Sequence, residues 1–186
     1  MKLKIITRFD DQQSYRVGVS HDLPVGLEPF AYFCLLVPDI FWNTLATETN
    51  GYAAQRQEQK ADKDWHDTTP SEMKLFIFVN FMFGIHRLPE VQMYWSTDPL
   101  LRVPAIADLM SRNWFNKLNK YFHLNNNSDA VEKGKPGYDP LFKVQPLLNL
   151  VHDNSAAHYH PDQDISIDEA MIKFSGRLSF RQYIKG

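Results

Sequence analysis

A single cysteine, Cys34, in 186 residues excludes an internal disulfide and any zinc site built from several cysteines of this chain, and it fits a reducing compartment. Set in the apolar run Phe30 to Val37, the thiol reads as packing material, with no base close by in sequence to make it a nucleophile. Long hydrophobic runs are also missing. Phe30 to Val37 and Leu75 to Ile85 are too short or too interrupted to span a bilayer, and Met1 to Phe9 is no signal peptide, so the expectation is a soluble intracellular protein without a membrane partner. There is no Gly-rich phosphate loop, no internal repeat and no low-complexity tract, and nothing points to a small-molecule substrate. An excess of one charge is absent too: 20 basic and 22 acidic residues leave −2, so contact with a polyanion would need a local basic patch.

What is present suits a packed domain. Hydrophobic residues at 44% and charged residues at 23% are ordinary for a soluble globular chain of one domain, or one domain plus part of another. Aromatic residues reach 13% and cluster between Phe76 and Phe122, which places the core there. Leu3 to Thr7 reads as a short strand followed by loop. From Pro29, apolar residues at three- and four-residue spacing predict a helix through Val37, ended by Pro38. A second helix is predicted from Asp39 through Gln59, with Ile40, Phe41, Leu45 and Tyr52 as its apolar stripe. Thr69-Pro70-Ser71-Glu72 combines a cap, a first-turn proline and a glutamate three residues after the cap, so a helix begins at Pro70. Apolar nearly all round to about Gly84, that helix is expected at the centre of the core. Val91 to Ser96 should pack Tyr94 and Trp95 on it. Pro104 to Met110 reads as a short helix. Ser111 caps another over Arg112 to Phe122, with Trp114, Phe115, Leu118, Tyr121 and Phe122 inward. Asn125 to Asp139 is a loop, and Leu141 to Tyr159 is helical again, with Pro146 in its first turn or bending it.

The chemistry concentrates near the end. In Ile165 to Met171, strand alternation puts Ile165, Ile167, Glu169 and Met171 on one face and Ser166, Asp168 and Ala170 on the other. A carboxylate inside a half-buried strand is costly unless a cation, donors or water meets it; a wet sheet face would serve equally well. Lys173, Arg177, Arg181 and Lys185 recur every four residues around Gly176, as in a hairpin presenting cations near Asp168. They could hold phosphates or simply be solvated. His152, His158 and His160, near Asp162 and Asp164, do not have zinc-ligand spacing and read as solvent-facing residues at a helix end.

The run IDEAMIKFSGRLSFRQYIKG resembles the start of the catalytic domain of piggyBac-type transposases, in which an I-D-E strand precedes F-x-G-R and F-R-Q-Y. ETNGYAAQ, TTPSEMKLFIFVNFMFGIHRLPEVQMYWS, MSRNWFNKLNKYFHLNNN and DPLFKVQPLLNL occur upstream in the order that family shows, so the resemblance covers about 30–186. It implies a mainly α-helical domain followed by the first β-hairpin of an RNase H-like α/β fold. The division would be an N-terminal segment 1–28 of unclear role, a helical dimerisation and DNA-binding domain 29–160, and the first strands of the catalytic domain, 161–186. Asp168 would be the first of three catalytic aspartates holding two divalent metals, Mg or Mn, with Glu169 structural and Lys173, Arg177, Arg181 and Lys185 near DNA. DNA as transposon ends, a homodimer and a nuclear location are implied in the same way. Ser175 departs from the usual basic residue before Gly176. A K-P-x-x-x-G-I-K continuation, the other two aspartates, an inserted domain and a terminal cysteine-rich domain are not in these residues, which predicts a catalytically incomplete chain. A non-enzymatic DNA-binding or dimerisation module and a degenerate fragment are the alternatives.

Overall fold

The computed structural model describes residues 18–20 and 26–161. The predicted strand at Leu3 to Thr7 and the whole Ile165–Gly186 stretch lie outside the described residues. Within them the fold is mostly helical, with six α-helices and one two-stranded ladder.

Helix α1 spans Pro29–Leu36 and α2 spans Asp39–Gln59. Pro38 separates them because a proline ring supplies no amide and disfavours helical geometry in the residue before it. Helix α3 spans Pro70–Ile85 and begins on a complete capping box. The Thr69 hydroxyl accepts from the Glu72 amide at 3.2 Å, and the Glu72 carboxylate accepts from the Thr69 amide at 3.0 Å. Thr69→Ala removes one half of this pair and should cost about 1 kcal/mol in denaturant unfolding. Helix α4 spans only Pro104–Ala107, shorter than the predicted Pro104 to Met110. Helix α5 spans Arg112–Tyr121, capped by Ser111, whose hydroxyl accepts from the Trp114 amide at 3.2 Å. Helix α6 spans Gln145–His158 with Pro146 in its first turn, where an amide would have no helical partner anyway. Strands β1, Gly18–Val19, and β2, Tyr159–His160, pair antiparallel. Asn125 to Asp139 carries a single 3-10 turn, Asn127–Asp129.

The core joins α2, α3 and α5. Trp42, Leu45 and Ala46 meet Met73, Phe76 and Val79, and Phe115 and Leu118 close the layer. It extends beyond the expected Phe76–Phe122 span, because the buried stripe of α2 runs through Trp42, Leu45, Ala46, Thr49 and Ala53. Ile40, assigned to that stripe from spacing, is 63% exposed. The 3.6-residue period carries the face past position 40 once Trp42 and Leu45 are turned inward.

Helix α3 is not buried all round. Met73, Phe76 and Val79 are buried, while Phe78, Phe81 and Ile85 are exposed, because α2 and the aromatic cluster reach it from one side. In α5, Phe115, Leu118 and Tyr121 face inward as expected, but Phe122 is partly exposed; in α6, Leu147 packs on the core while Leu148 is largely exposed. Tyr94 and Trp95 do pack against it. The Tyr94 hydroxyl donates to the His86 carbonyl and accepts from the Leu88 amide, and the Trp95 indole donates to the Met110 carbonyl at 2.6 Å.

Polar ties fix the layers in register. The buried Thr49 hydroxyl donates to the His123 carbonyl at 3.1 Å, and the Asn50 amide group both donates to and accepts from the Thr68 backbone at 2.9 and 2.8 Å.

Candidate nucleic-acid interface

Asp168, Lys173, Arg177, Arg181 and Lys185 lie outside the described residues. His152 and His160 are exposed and His158 is half-buried at the end of α6, and among the described residues no group of three or more His, Cys, Asp or Glu side chains could hold a metal ion. The implied divalent metal therefore has no site that the described residues fit.

The described residues instead single out α5. Its sequence, RNWFNKLNKY, contains no acidic residue. Phe115, Leu118 and Tyr121 are buried, whereas Arg112, Asn113, Asn116, Asn119 and Lys120 are exposed. At about 100° per residue those five positions fall within an arc of roughly 120°, a continuous polar stripe about 12 Å long. The split follows from the sequence period: three apolar residues at three-residue spacing commit one face to the core, and the polar side chains other than Lys117 are left on the opposite one.

This face is held from behind. The Asp62 carboxylate, in the loop between α2 and α3, accepts hydrogen bonds from the Lys117 ammonium and from the Tyr121 hydroxyl at 2.8 Å, and Lys120 lies 3.2 Å away. The Asp62 side chain is only 8% exposed. Hydrogen bonds from Lys117 first, then Tyr121, hold its carboxyl well below the usual carboxylate range, against the opposing effect of burial. The bond to Asp62 in turn raises Lys117, and the Tyr121 hydroxyl raises Lys120. Around them, Trp65 meets Tyr121 edge-on at 4.8 Å and Trp114 at 5.2 Å, and His66 stacks on Trp114 at 3.8 Å. Helix α5 is thereby pinned at both its middle and its end, which presents the exposed stripe rigidly.

Two open clefts border the stripe, and Asn113 and Asn116 line both. One, of about 850 Å³, also includes Asp64, His66, Glu72 and Lys117; the other, of about 520 Å³, includes Glu90, Gln92, Trp95 and Arg112. Arginine and asparagine offer the forked donor and donor–acceptor groups that match guanine and adenine edges in a major groove wide enough for a helix. Three carboxylates flank the stripe. Asp64 lies 3.6 Å from Lys117, and Glu72 is engaged with His66 and its own capping box, which moderates but does not cancel their repulsion of phosphates.

In sequence this face is overshadowed by the apolar spacing of Arg112 to Phe122, which reports only the residues that turn inward. The signal was available: no acid in ten residues, and Arg or Asn at 112, 113, 116 and 119.

Residues 28–186 match the family described as "Transposase IS4". A human protein named PiggyBac transposable element-derived protein 5 is 28% identical over 166 residues, covering 89% of this chain and 30% of that protein. Human PiggyBac transposable element-derived protein 2 is 26% identical over 162 residues, covering 86% and 25%, and protein 3 of the series is 26% identical over 120 residues, covering 63% and 19%. The chain thus spans less than a third of the length of these relatives. No solved structure matches. Among the described residues no single helix is long and apolar enough to cross a membrane. With its family match running from residue 28 to residue 186, the chain belongs to the piggyBac-type transposase family.

Proposed function

We propose that this chain is the DNA-contacting N-terminal part of a piggyBac-type transposase or transposase-derived protein, acting on transposon-end DNA in the nucleus. The observation that carries the reading is the acid-free, rigidly held Arg/Asn/Lys face of α5 inside the stretch that matches the family. Helical residues 29–160 provide the DNA contact and the dimer. Residues 161–186 open an RNase H-like catalytic domain in which Asp168 supplies the first of three metal-binding carboxylates, with Lys173, Arg177, Arg181 and Lys185 beside the DNA backbone.

A divalent ion, Mg or Mn, when bound, supplies activation of the attacking oxygen and charge stabilisation in phosphoryl transfer. Asp168 contributes one carboxylate to that arrangement, and two ions about 4 Å apart need more than one. The 186-residue polypeptide by itself is therefore expected to bind transposon-end duplex DNA without cutting it in Mg or Mn. Cleavage by the purified chain, lost in Asp168→Ala, would overturn the catalytic half of this proposal. Failure to shift duplex DNA at micromolar concentration would overturn the binding half.

A further inference from the structure

In sequence Trp65 and His66 sit in the charged stretch DKDWHD just before the Thr69 cap, where nothing local marks them. The fold stacks them. Trp65 packs on Trp114 and Tyr121, while the His66 imidazole lies flat on Trp114, with 3.8 Å between ring centroids and 9° between planes. The ring is also held at its edge. Its Nε2 lies 3.4 Å from the carboxylate of Glu72, the residue that closes the α3 capping box. With one face on Trp114 and one edge on Glu72, the His66 side chain is still 65% exposed. An aromatic ring fixed by two neighbours and otherwise in water is a stacking platform that needs little further ordering to bind.

We infer that His66 stacks an unpaired nucleobase of a DNA strand lying along α5, in the cleft of about 850 Å³ that it lines. The inference rests on the α5 reading and adds a distinct ligand, a base out of its pair. Three observations carry it. Leu75, Leu109, Met110 and Trp114 give the cleft apolar lining, and its volume is in the range of small-ligand sites. Asp64 and Ser111 add an acceptor and a hydroxyl, groups that can meet the exocyclic amines and ring nitrogens of a base edge. Trp114 also has its indole N–H shielded from water with no acceptor among the described residues, a costly condition that points to an acceptor-bearing ligand. Finally, Asn113 and Asn116 belong both to the cleft and to the exposed stripe. A strand held on the stripe has the cleft at its side.

Other occupants fit this lining less well. A phosphate would meet the carboxylates of Asp64 and Glu72, which repel it. A cationic side chain of a protein partner would approach Lys117 in the lining and the exposed Arg112 and Lys120 alongside. A purely apolar group would cover Asp64 without giving it a donor. A neutral, flat ring with hydrogen-bonding edges avoids all three conflicts. A base inside an intact duplex is already stacked on its neighbours and cannot reach the platform. The contact therefore discriminates an unpaired strand from a duplex.

The test uses the purified 186-residue chain and two readouts. Fluorescence anisotropy compares a blunt duplex with the same duplex carrying a short unpaired tail, each variant being first checked for the parent's unfolding midpoint. Wild type is expected to bind the tailed form about fivefold or more tighter, the lower end of what stacking one base on an aromatic ring supplies. His66→Ala should lose most of that preference, and His66→Phe, which keeps a flat ring, should retain it. No preference in wild type, a preference unchanged in His66→Ala, or one lost equally in His66→Phe overturns the inference. The second readout is ultraviolet crosslinking of a single-stranded oligonucleotide containing 5-iodouracil. Peptide mass mapping should place the adduct on His66, and an adduct mapped elsewhere, or none, overturns the inference. Because this strand has no duplex, the arm separates the two readings: an adduct on His66 in a chain that binds no duplex supports the base site and overturns only the duplex contact of α5.

Discussion

Asp62→Ala is expected to destabilise the chain by about 2–3 kcal/mol, because it strands the Lys117 ammonium and the Tyr121 hydroxyl behind α5. The Lys117 side chain is 23% exposed and Tyr121 is 2% exposed, so neither left-over group regains full hydration. For a chain of this length the loss should appear as a fall of roughly 5–10 °C in the thermal midpoint. The pH dependence separates this carboxylate from the surface ones. The folded state keeps Asp62 ionised to lower pH than the unfolded chain does, so its contribution is complete above about pH 4, the unfolded value, and is lost as pH falls further. Wild type should therefore lose stability below pH 4 more steeply than Asp62→Ala, and the two denaturation curves should converge in acid. Parallel curves would mean that the carboxylate is not held as described. The exposed pair Lys74–Asp39, at 2.6 Å with Asp39 85% exposed, offers the contrast: Asp39→Ala should change stability by less than about 1 kcal/mol.

Leu118→Ala should cost about 2–5 kcal/mol, the largest loss of any single substitution considered for this fold. Leu118 is fully buried at the junction where α5 meets α2 and α3, in the core cluster that also holds Phe76 and Phe115. Phe76 lies 5.2 Å from Phe115 and 5.5 Å from Phe122, and Phe83 sits 5.4 Å from Phe115, so the neighbours are stiff plates that cannot flow into the space. Chemical unfolding should report this as a lowered midpoint with an unchanged slope. A cost below about 1 kcal/mol would show that the junction repacks freely, and with it that α5 is not rigidly seated.

These two side chains also show which parts of the molecule could be read in advance. Helix ends were legible where local chemistry decides them. Pro38 divides α1 from α2, the Thr69–Glu72 box opens α3 and Ser111 opens α5, all within a residue or two of the structure. The inward residues of α5 were legible because Phe115, Leu118 and Tyr121 recur at three-residue spacing. Asp62 was not, since 55 residues separate it from Lys117 and 59 from Tyr121; in sequence it is one acid in a charged tract that reads as solvated. The exposure of Phe78, Phe81 and Ile85 could not be read either, because a helix apolar all round does not say on which sides a neighbour will arrive. On the functional side, motif order identifies the family, whereas the α5 stripe shares its helix with the stronger apolar signal of the opposite face. Asp168 and the four cations that follow it remain positions defined by resemblance to that family.

Contact between the Arg/Asn face of α5 and DNA can be measured by fluorescence anisotropy of a labelled transposon-end duplex. It is titrated with wild type and with Arg112→Ala/Asn113→Ala/Asn116→Ala over a range of salt concentrations. All three side chains are exposed, so the variant should keep the wild-type unfolding midpoint. Wild type should bind, and the triple variant should lose at least tenfold in affinity, the loss expected when even one good base contact is removed, and distinguish end sequence from random duplex less well. If Arg112 meets a phosphate, the salt dependence should also become shallower by about one charge. Equal affinity and equal sequence preference for the two proteins would show that this face of α5 does not meet DNA.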